Sequence, residues 1–151
     1  METSVDEWHQ IHAVNLVGPF FLSKEVLPAM QNSGWGRIIN IASYAWKSGG
    51  KTSGTAYSSS KAAMVGLTFA IAKQSAEFGV TVNGIAPAYV MSPMVTEQLN
   101  DEQRDKMMSE IPVRRFSEPE EIANCVRFLT SPMSAFITGE IIDMNGGFQF
   151  D

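Results

Sequence analysis

The chain has 151 residues, and its 16 acidic and 11 basic side chains give a net charge of −5. Apolar residues make up 44% of it and charged residues 18%, which is typical of a globular domain with a hydrophobic core. The acidic balance argues against nucleic-acid or membrane-surface partners, and no apolar run is long enough to span a membrane. Cys125 is the single cysteine and excludes an internal disulfide. Because the first residues lack a signal-peptide core, we expect a cytoplasmic protein.

The first third of the chain predicts a helix followed by a strand. Ser4 and Glu7 have the spacing of a capping box, so a helix should begin there and run to about Met30. Gly18-Pro19 is expected to bend it. The β-branched run from Arg37 to Ser43 predicts a strand that is buried on both faces.

The middle of the chain predicts a loop, a long helix and a second strand. The loop covers residues 47–55, and nothing interrupts a helix from Tyr57 to Phe78, which Gly79 would end. The strand runs from Val80 to Ala86 and ends at Pro87.

The last third begins with residues 88–116, which have no strong period. Ser117 and Glu120 form a second candidate capping box, for a helix that ends before Pro132. A third strand is predicted over residues 139–143. Strands that alternate with helices indicate a parallel sheet covered by helices, and we interpret residues 1–151 as part of one such domain.

Tyr57 and Lys61 lie four residues apart in the long helix, so their side chains share one face. A free tyrosine titrates near ~10, and a nearby cation stabilises the phenolate, which suits general acid–base chemistry. The spacing alone is common, but Ser43 lies at the carboxyl end of the preceding strand, where α/β sheets bind ligands. Asn15 lies on the first helix.

Together these residues resemble the short-chain dehydrogenase/reductase family from one end of the chain to the other. The nearest resemblance within it is to 3-oxoacyl-carrier-protein and acetoacetyl-CoA reductases. The matching segments are Asn15-Leu-Val-Gly18, Ser43, Tyr57-x-x-x-Lys61, Val82-Asn-Gly-Ile-Ala-Pro87 and Gly139-Glu-Ile-Ile-Asp-Met-Asn-Gly-Gly147.

The resemblance implies hydride transfer between NAD or NADP and a small carbonyl or alcohol substrate. In it Tyr57 is the proton donor, Lys61 supports Tyr57 and holds the nicotinamide ribose, and Ser43 hydrogen-bonds the substrate oxygen. Asn15 would hold a water that continues a proton relay from Lys61. The resemblance also implies a homodimer or homotetramer. The cofactor-binding positions that it implies, besides Tyr57 and Lys61, are Pro87, Ala88, Val90 and Ser92.

The sequence departs from the family pattern at three positions and lacks one of its elements. Ala88 replaces a usual glycine and is expected to alter the loop beside the nicotinamide. Ser92 replaces a usual threonine, and Asn145 a frequent aspartate. No strand is followed by Gly-x-x-x-Gly-x-Gly, the turn whose helix receives the pyrophosphate. We therefore expect the C-terminal part of a Rossmann-type doubly wound sheet without its nucleotide-binding half, inactive or weakly active by itself.

Two other functions stay open. Ser58-Ser-Ser-Lys61 has the Ser-x-x-Lys form of penicillin-binding hydrolases, and Lys51-Thr-Ser-Gly54 superficially resembles their Lys-Thr-Gly, although it lies on the wrong side. Alternatively, the chain is a non-catalytic oligomerisation module. Small residues on the long helix suit a subunit interface or close packing on the sheet: Ala62, Ala63, Gly66 and Ala70.

Methionines outside the motifs are candidates for substrate contact, because thioethers adapt to irregular apolar ligands, although they also fill cores. Met91 and Met94 follow the second strand and are predicted to contact the substrate; Met107 and Met108 are further candidates. His9 and His12 do not suggest a metal site, and none is predicted.

Overall fold

A computed structural model describes residues 3–50 and 53–150. Its centre is a parallel three-stranded sheet in the order β1-β2-β3, formed by Gly36–Ile41, Val80–Pro87 and Ile141–Met144. In the register, Gly36 of β1 lies beside Val80, and Gly84 of β2 beside Ile141. The prediction of a parallel sheet flanked by helices is confirmed. In the described part of the chain, no helix combines the length and apolar character needed to cross a membrane.

The N-terminal helical segment is longer than predicted, and it continues as a helix through Gly18-Pro19, where a bend was predicted. It consists of α1, a π-helical turn and α2, over Val5–His12, Ala13–Val17 and Gly18–Ser33. Ser4 is the N-cap, and its Oγ accepts a hydrogen bond from the Glu7 N–H. Pro19 is the second residue of α2 and follows directly on the π turn, so the irregularity that a proline forces on a continuous helix takes the form of that turn.

The connection from β1 to β2 contains two helices, α3 (Ala45–Ser48) and α4 (Thr55–Ser75), followed by a 3₁₀ turn at Ala76–Phe78. The short helix α3 lies partly within the predicted loop. Gly79 ends the helical segment with a left-handed φ of 73°, as predicted. Ser43 follows β1 rather than belonging to it, so it stands on the loop at the carboxyl end of the strand.

Residues 88–116 contain two helices that the sequence reading missed, α5 (Pro93–Gln98) and α6 (Asp101–Glu110). The next helix is α7 (Pro119–Thr130), and its capping box joins Glu118 and Glu121 rather than Ser117 and Glu120. Pro119 explains the shift, because its preference for the first helical position makes the residue before it the N-cap. The predicted start of β3 was also wrong, since Gly139 has a left-handed φ of 73°.

The core lies on both faces of β2, which is buried along its whole length. Helix α4 packs Met64 and Val65 against Ala86 on one face, and α7 contacts β1 and β2. Buried polar side chains join the layers: the Asn83 amide donates to Ile137 O and accepts from Glu140 N–H, at 2.9 Å each. This bridge fixes the segment that leads into β3.

Candidate active site

A cavity of about 360 Å³ lies at the carboxyl ends of the strands, and Ser43 and Tyr57 both line it. Tyr57 is in the first turn of α4, and Ser43 is on the loop after β1. The Ser43 Oγ accepts a hydrogen bond from the Ala45 N–H at 3.2 Å, which leaves its own O–H proton able to point elsewhere. The structure therefore brings two of the four predicted catalytic residues to one cavity.

Lys61 lies one helical turn after Tyr57, with its ammonium 5.7 Å from the centroid of the Tyr57 ring. The Nζ donates a 2.7 Å hydrogen bond to Ile41 O, the last carbonyl of β1. Burial lowers the pKa of Lys61, because a desolvated ammonium is less stable than one in water. The lysine is thus fixed between the helix and the end of the strand.

Asn15 lies within the π-helical turn, a kind of irregularity that is frequent at functional sites. Its Nδ2 donates to Ser60 Oγ at 3.0 Å, and that hydroxyl donates to Tyr57 O at 2.7 Å. The side chain is therefore tied to the turn that carries Tyr57. Sequence reasoning missed Ser60, which is fully buried; its place three residues after Tyr57 was the available signal.

The predicted cofactor-binding positions follow the carboxyl end of β2. Pro87 is the buried last residue of that strand, and Ala88 N–H donates to Met144 O at 3.0 Å. Val90 forms an isolated parallel bridge with Ser117. Ser92 is the N-cap of α5 without a capping hydrogen bond from its side chain.

Three of the four candidate methionines pack on one small hydrophobic cluster, and the substrate contacts predicted for Met91 and Met94 stay a prediction. Met91 packs against a buried cluster of Val95, Ile111 and Phe116, and so do Met107 and Met108. Met91 is not among the residues that line the Ser43–Tyr57 cavity. The side chain of Met94 lies outside the described residues.

Comparison with known proteins identifies the family. A family model described as "Enoyl-(Acyl carrier protein) reductase" matches residues 1–149. The 3-oxoacyl-(acyl-carrier-protein) reductase of Vibrio cholerae is 42% identical over 147 residues, 97% of this chain and 59% of that protein. The chain belongs to the short-chain dehydrogenase/reductase family.

Other members of the short-chain dehydrogenase/reductase family support the same assignment. The acetoacetyl-CoA reductase of Rhizobium meliloti is 39% identical, over 96% of this chain and 60% of the relative. A solved structure from Beutenbergia cavernae, described as an NAD(P)-dependent gluconate 5-dehydrogenase with bound NADP, has 35% identity and a TM-score of 0.90. That match covers 97% of this chain and 59% of the other. The chain spans about three fifths of the length of these relatives.

The replacement of the family's usual glycine by Ala88 does not strain the backbone. In the described part of the chain, Arg114 is the only residue other than glycine with a positive φ. Ala88 therefore keeps an ordinary conformation, and it lines the cavity beside Ser43 and Tyr57.

The Ser-x-x-Lys interpretation receives no support from the geometry. Ser58 is buried, and its Oγ donates to Gly49 O at 3.0 Å, whereas Lys61 donates to Ile41 O. A hydrolase would need the lysine to activate the serine. Residues 51 and 52 of the Lys-Thr-Ser-Gly segment lie outside the described residues.

The sequence reading also missed three aromatic residues that line the cavity with Ser43 and Tyr57. They are Tyr44, Tyr89 and Phe148. Their signal was positional: each follows one of the three strands by a few residues, at the edge where α/β sheets bind ligands.

Proposed function

We propose that this chain carries the carbonyl-binding and proton-donating site of an NAD(P)(H)-dependent oxidoreductase. The observation that carries the proposal is the position of Tyr57 and Ser43 on one cavity, with the Lys61 ammonium one turn behind the Tyr57 ring. Phenol, hydroxyl and ammonium are the groups needed to bind a carbonyl oxygen and protonate it. The two alternative functions are a Ser-x-x-Lys hydrolase and a non-catalytic oligomerisation module. The hydrolase would need a hydrogen-bonded pair of Ser58 and Lys61, and these two side chains bind different backbone carbonyls.

Proton transfer is the task of Tyr57. During reduction its O–H donates a hydrogen bond to the carbonyl oxygen and passes the proton to it as that oxygen gains negative charge. Lys61 supplies a positive charge next to the ring and stabilises the phenolate that remains. In the reverse direction Tyr57 accepts the proton of the alcohol.

Orientation of the carbonyl is the task of Ser43. Because its Oγ already accepts from the Ala45 N–H, its own proton is directed to another acceptor, and the substrate oxygen fits that role. Asn15 supports the site through Ser60, which joins it to the backbone of Tyr57. We also propose that Asn15 holds a water molecule that continues a proton relay from Lys61.

The residues present fit the nicotinamide end of NAD or NADP. The Lys61 ammonium has three N–H donors and uses one on Ile41 O, so two can bind ribose hydroxyls. The other holding positions follow β2, at Pro87, Ala88, Val90 and Ser92. When bound, the nicotinamide supplies or takes up the hydride at the carbon that Tyr57 and Ser43 position.

The substrate class follows the names of the relatives, and a 3-oxoacyl ketone is the first candidate. We also propose that residues 1–151 form part of a single domain that acts as a homodimer or homotetramer. Gly66 and Ala70 of α4 are exposed, so these small residues do not pack on the chain's own sheet. Light scattering at micromolar concentration should give a dimer or tetramer, and a monomer at every concentration would contradict this assembly.

A chimera tests the function directly. It joins this chain to the segment of the Vibrio cholerae relative for which the chain has no counterpart, and the intact relative is the positive control. We expect acetoacetyl thioester to drive NADPH oxidation at 340 nm, with a loss of at least about 100-fold in Tyr57→Phe. Near-normal single turnover in Tyr57→Phe would contradict the role of the phenol. A folded chimera without turnover would favour the non-catalytic module.

A further inference from the structure

Three aromatic side chains line the cavity, and each follows a different strand. Tyr44 follows β1, Tyr89 follows β2 and Phe148 follows β3. We propose that these rings, here called the aromatic wall, give the cavity a preference for ketones that carry an aromatic ring next to the carbonyl over saturated ketones of the same size. The inference rests on the proposed function for the carbonyl's position, and it concerns the group beside the carbonyl, which can be aromatic in a 3-oxoacyl ketone as well.

The aromatic wall is a packed unit with Phe148 at its centre. The Phe148 ring lies 5.3 Å from Tyr44 at 73° and 6.3 Å from Tyr89 at 79°, both edge-to-face. Tyr89 also packs edge-to-face on the buried Phe116, at 6.0 Å. The Tyr44 hydroxyl donates a 2.8 Å hydrogen bond to Gln149 Oε1, which joins the loop after β1 to the segment after β3. The rings are therefore held before any ligand binds.

The position of the aromatic wall favours a planar apolar group. Ser43 and Tyr57 line the same cavity, so a carbonyl bound by their hydroxyls lies in the space that these rings also line. Aromatic rings attract one another in edge-to-face or offset geometry beyond the effect of burial, which a saturated ring of equal size does not gain. The volume of about 360 Å³ is within the range of small-molecule sites.

The charge of the residues that line the cavity also favours an apolar substrate. Among the described residues that line the cavity, none carries a charge, so a sugar-acid ketone finds no cation there for its carboxylate. The cavity thus favours an uncharged ketone over an ionised sugar acid, whose carboxylate would lose its hydration without gaining a counterion.

The test compares two ketones of similar shape, acetophenone and cyclohexyl methyl ketone, in NMR titrations of the full chain without cofactor. We expect acetophenone to bind about 2- to 10-fold more tightly and its protons to show ring-current shifts. Phe148→Leu removes the ring that contacts both others and should reduce the preference for acetophenone, by up to about 5-fold. Phe148→Tyr keeps the ring and should keep the preference. Tyr44→Phe is the matched control, because it removes the hydroxyl bound to Gln149 but leaves the ring.

The outcomes separate this inference from the proposed function. Equal affinities for the two ketones, an unchanged preference in a folded Phe148→Leu, or no saturable binding of acetophenone would each overturn the aromatic wall. If Phe148→Leu does not fold, the ring-current shifts in the unaltered chain decide. Equal affinities with an active chimera would refute the wall and leave the reductase. A preference for acetophenone with a chimera that turns over no ketone would refute the reductase and leave an aryl-binding cavity.

Discussion

An ion pair between Lys47 and Asp143 joins the loop that carries Ser43 to the last strand. Lys47 is in α3, and Asp143 is in β3; their side chains are only 14% and 17% exposed. The Lys47 ammonium also lies 5.3 Å from the centroid of the Trp46 ring. Asp143→Asn keeps the shape of this contact and removes its negative charge, so it isolates the electrostatic part.

The expected cost is a loss of about 3 kcal/mol in the free energy of unfolding, the low end of the range for breaking a buried pair. The low end applies because both side chains keep some contact with solvent and Lys47 has a further interaction. The penalty comes from the ammonium that loses its counterion. Replacing both partners, as Lys47→Met with Asp143→Leu, removes both charges from the low-dielectric site and should cost less than about 1 kcal/mol.

Urea unfolding followed by tryptophan fluorescence and circular dichroism measures these changes. With a slope of about 2 kcal/mol per molar urea, Asp143→Asn should lower the midpoint by about 1.5 M. The double variant should recover most of that shift, which makes the two substitutions strongly non-additive. A single-variant loss below about 1 kcal/mol, or a double variant as unstable as Asp143→Asn, would refute this reasoning.

Three further predictions rest on other contacts. Gly79→Ala should destabilise the fold much more than Gly34→Ala in urea unfolding. Both glycines have a left-handed φ, but only at Gly79 would an added Cβ meet a backbone atom, Gly34 O at 2.3 Å. Equal losses of stability in the two variants would contradict this. Hydrogen bonds from Arg115 lower the pKa of Glu121 to about 2, so the stabilising effect of the ionised Glu121 should be full above pH ~4.5 and lost as pH falls towards 2. Glu121→Gln should remove this pH dependence of stability. Acid unfolding that is unchanged in Glu121→Gln would contradict the prediction. In calorimetry the chain alone should bind NADPH weakly and no better than reduced nicotinamide mononucleotide, since the cofactor contacts proposed for Lys61 and its neighbours involve only the nicotinamide end. A low-micromolar constant for NADPH would refute this.

The elements that the sequence predicted well are those whose signals are local. The strands are short runs rich in β-branched residues, although only β2 is buried throughout: β1, which was predicted to be buried on both faces, is mostly half-buried and ends at the exposed Ile41. Gly79 ends the long helix because it accepts a left-handed φ. Where two local signals compete, the prediction failed: Ser117 and Glu120 have capping-box spacing, but Pro119 moves the cap to Glu118. Helices α5 and α6 were missed because their apolar residues have no clear helical period and pack on a small separate cluster.

The candidate site was predictable to the extent that its residues lie in one motif or at a strand end. Tyr57 and Lys61 are four apart on one helix, and Ser43 follows the end of a strand rich in isoleucine. Contacts between residues far apart in the chain left no local pattern. Asn15 and Ser60, 45 residues apart, hydrogen-bond only because the π turn faces α4. Tyr44 and Gln149, 105 residues apart, meet because β1 and β3 end at the same edge of the sheet.

Binding of the ketone and binding of the dinucleotide are separable properties of this chain. The groups proposed to hold the ketone are oriented by contacts inside the described residues: Ser43 by Ala45 N–H, and Phe148 by its edge-to-face contact with Tyr44. None of these contacts requires a cofactor. Lys61, in contrast, is fixed at Ile41 O, and its proposed role extends only to the nicotinamide end of a dinucleotide. A chain that binds acetophenone but not NADPH would therefore agree with the geometry, because the carbonyl site is organised before the hydride donor arrives.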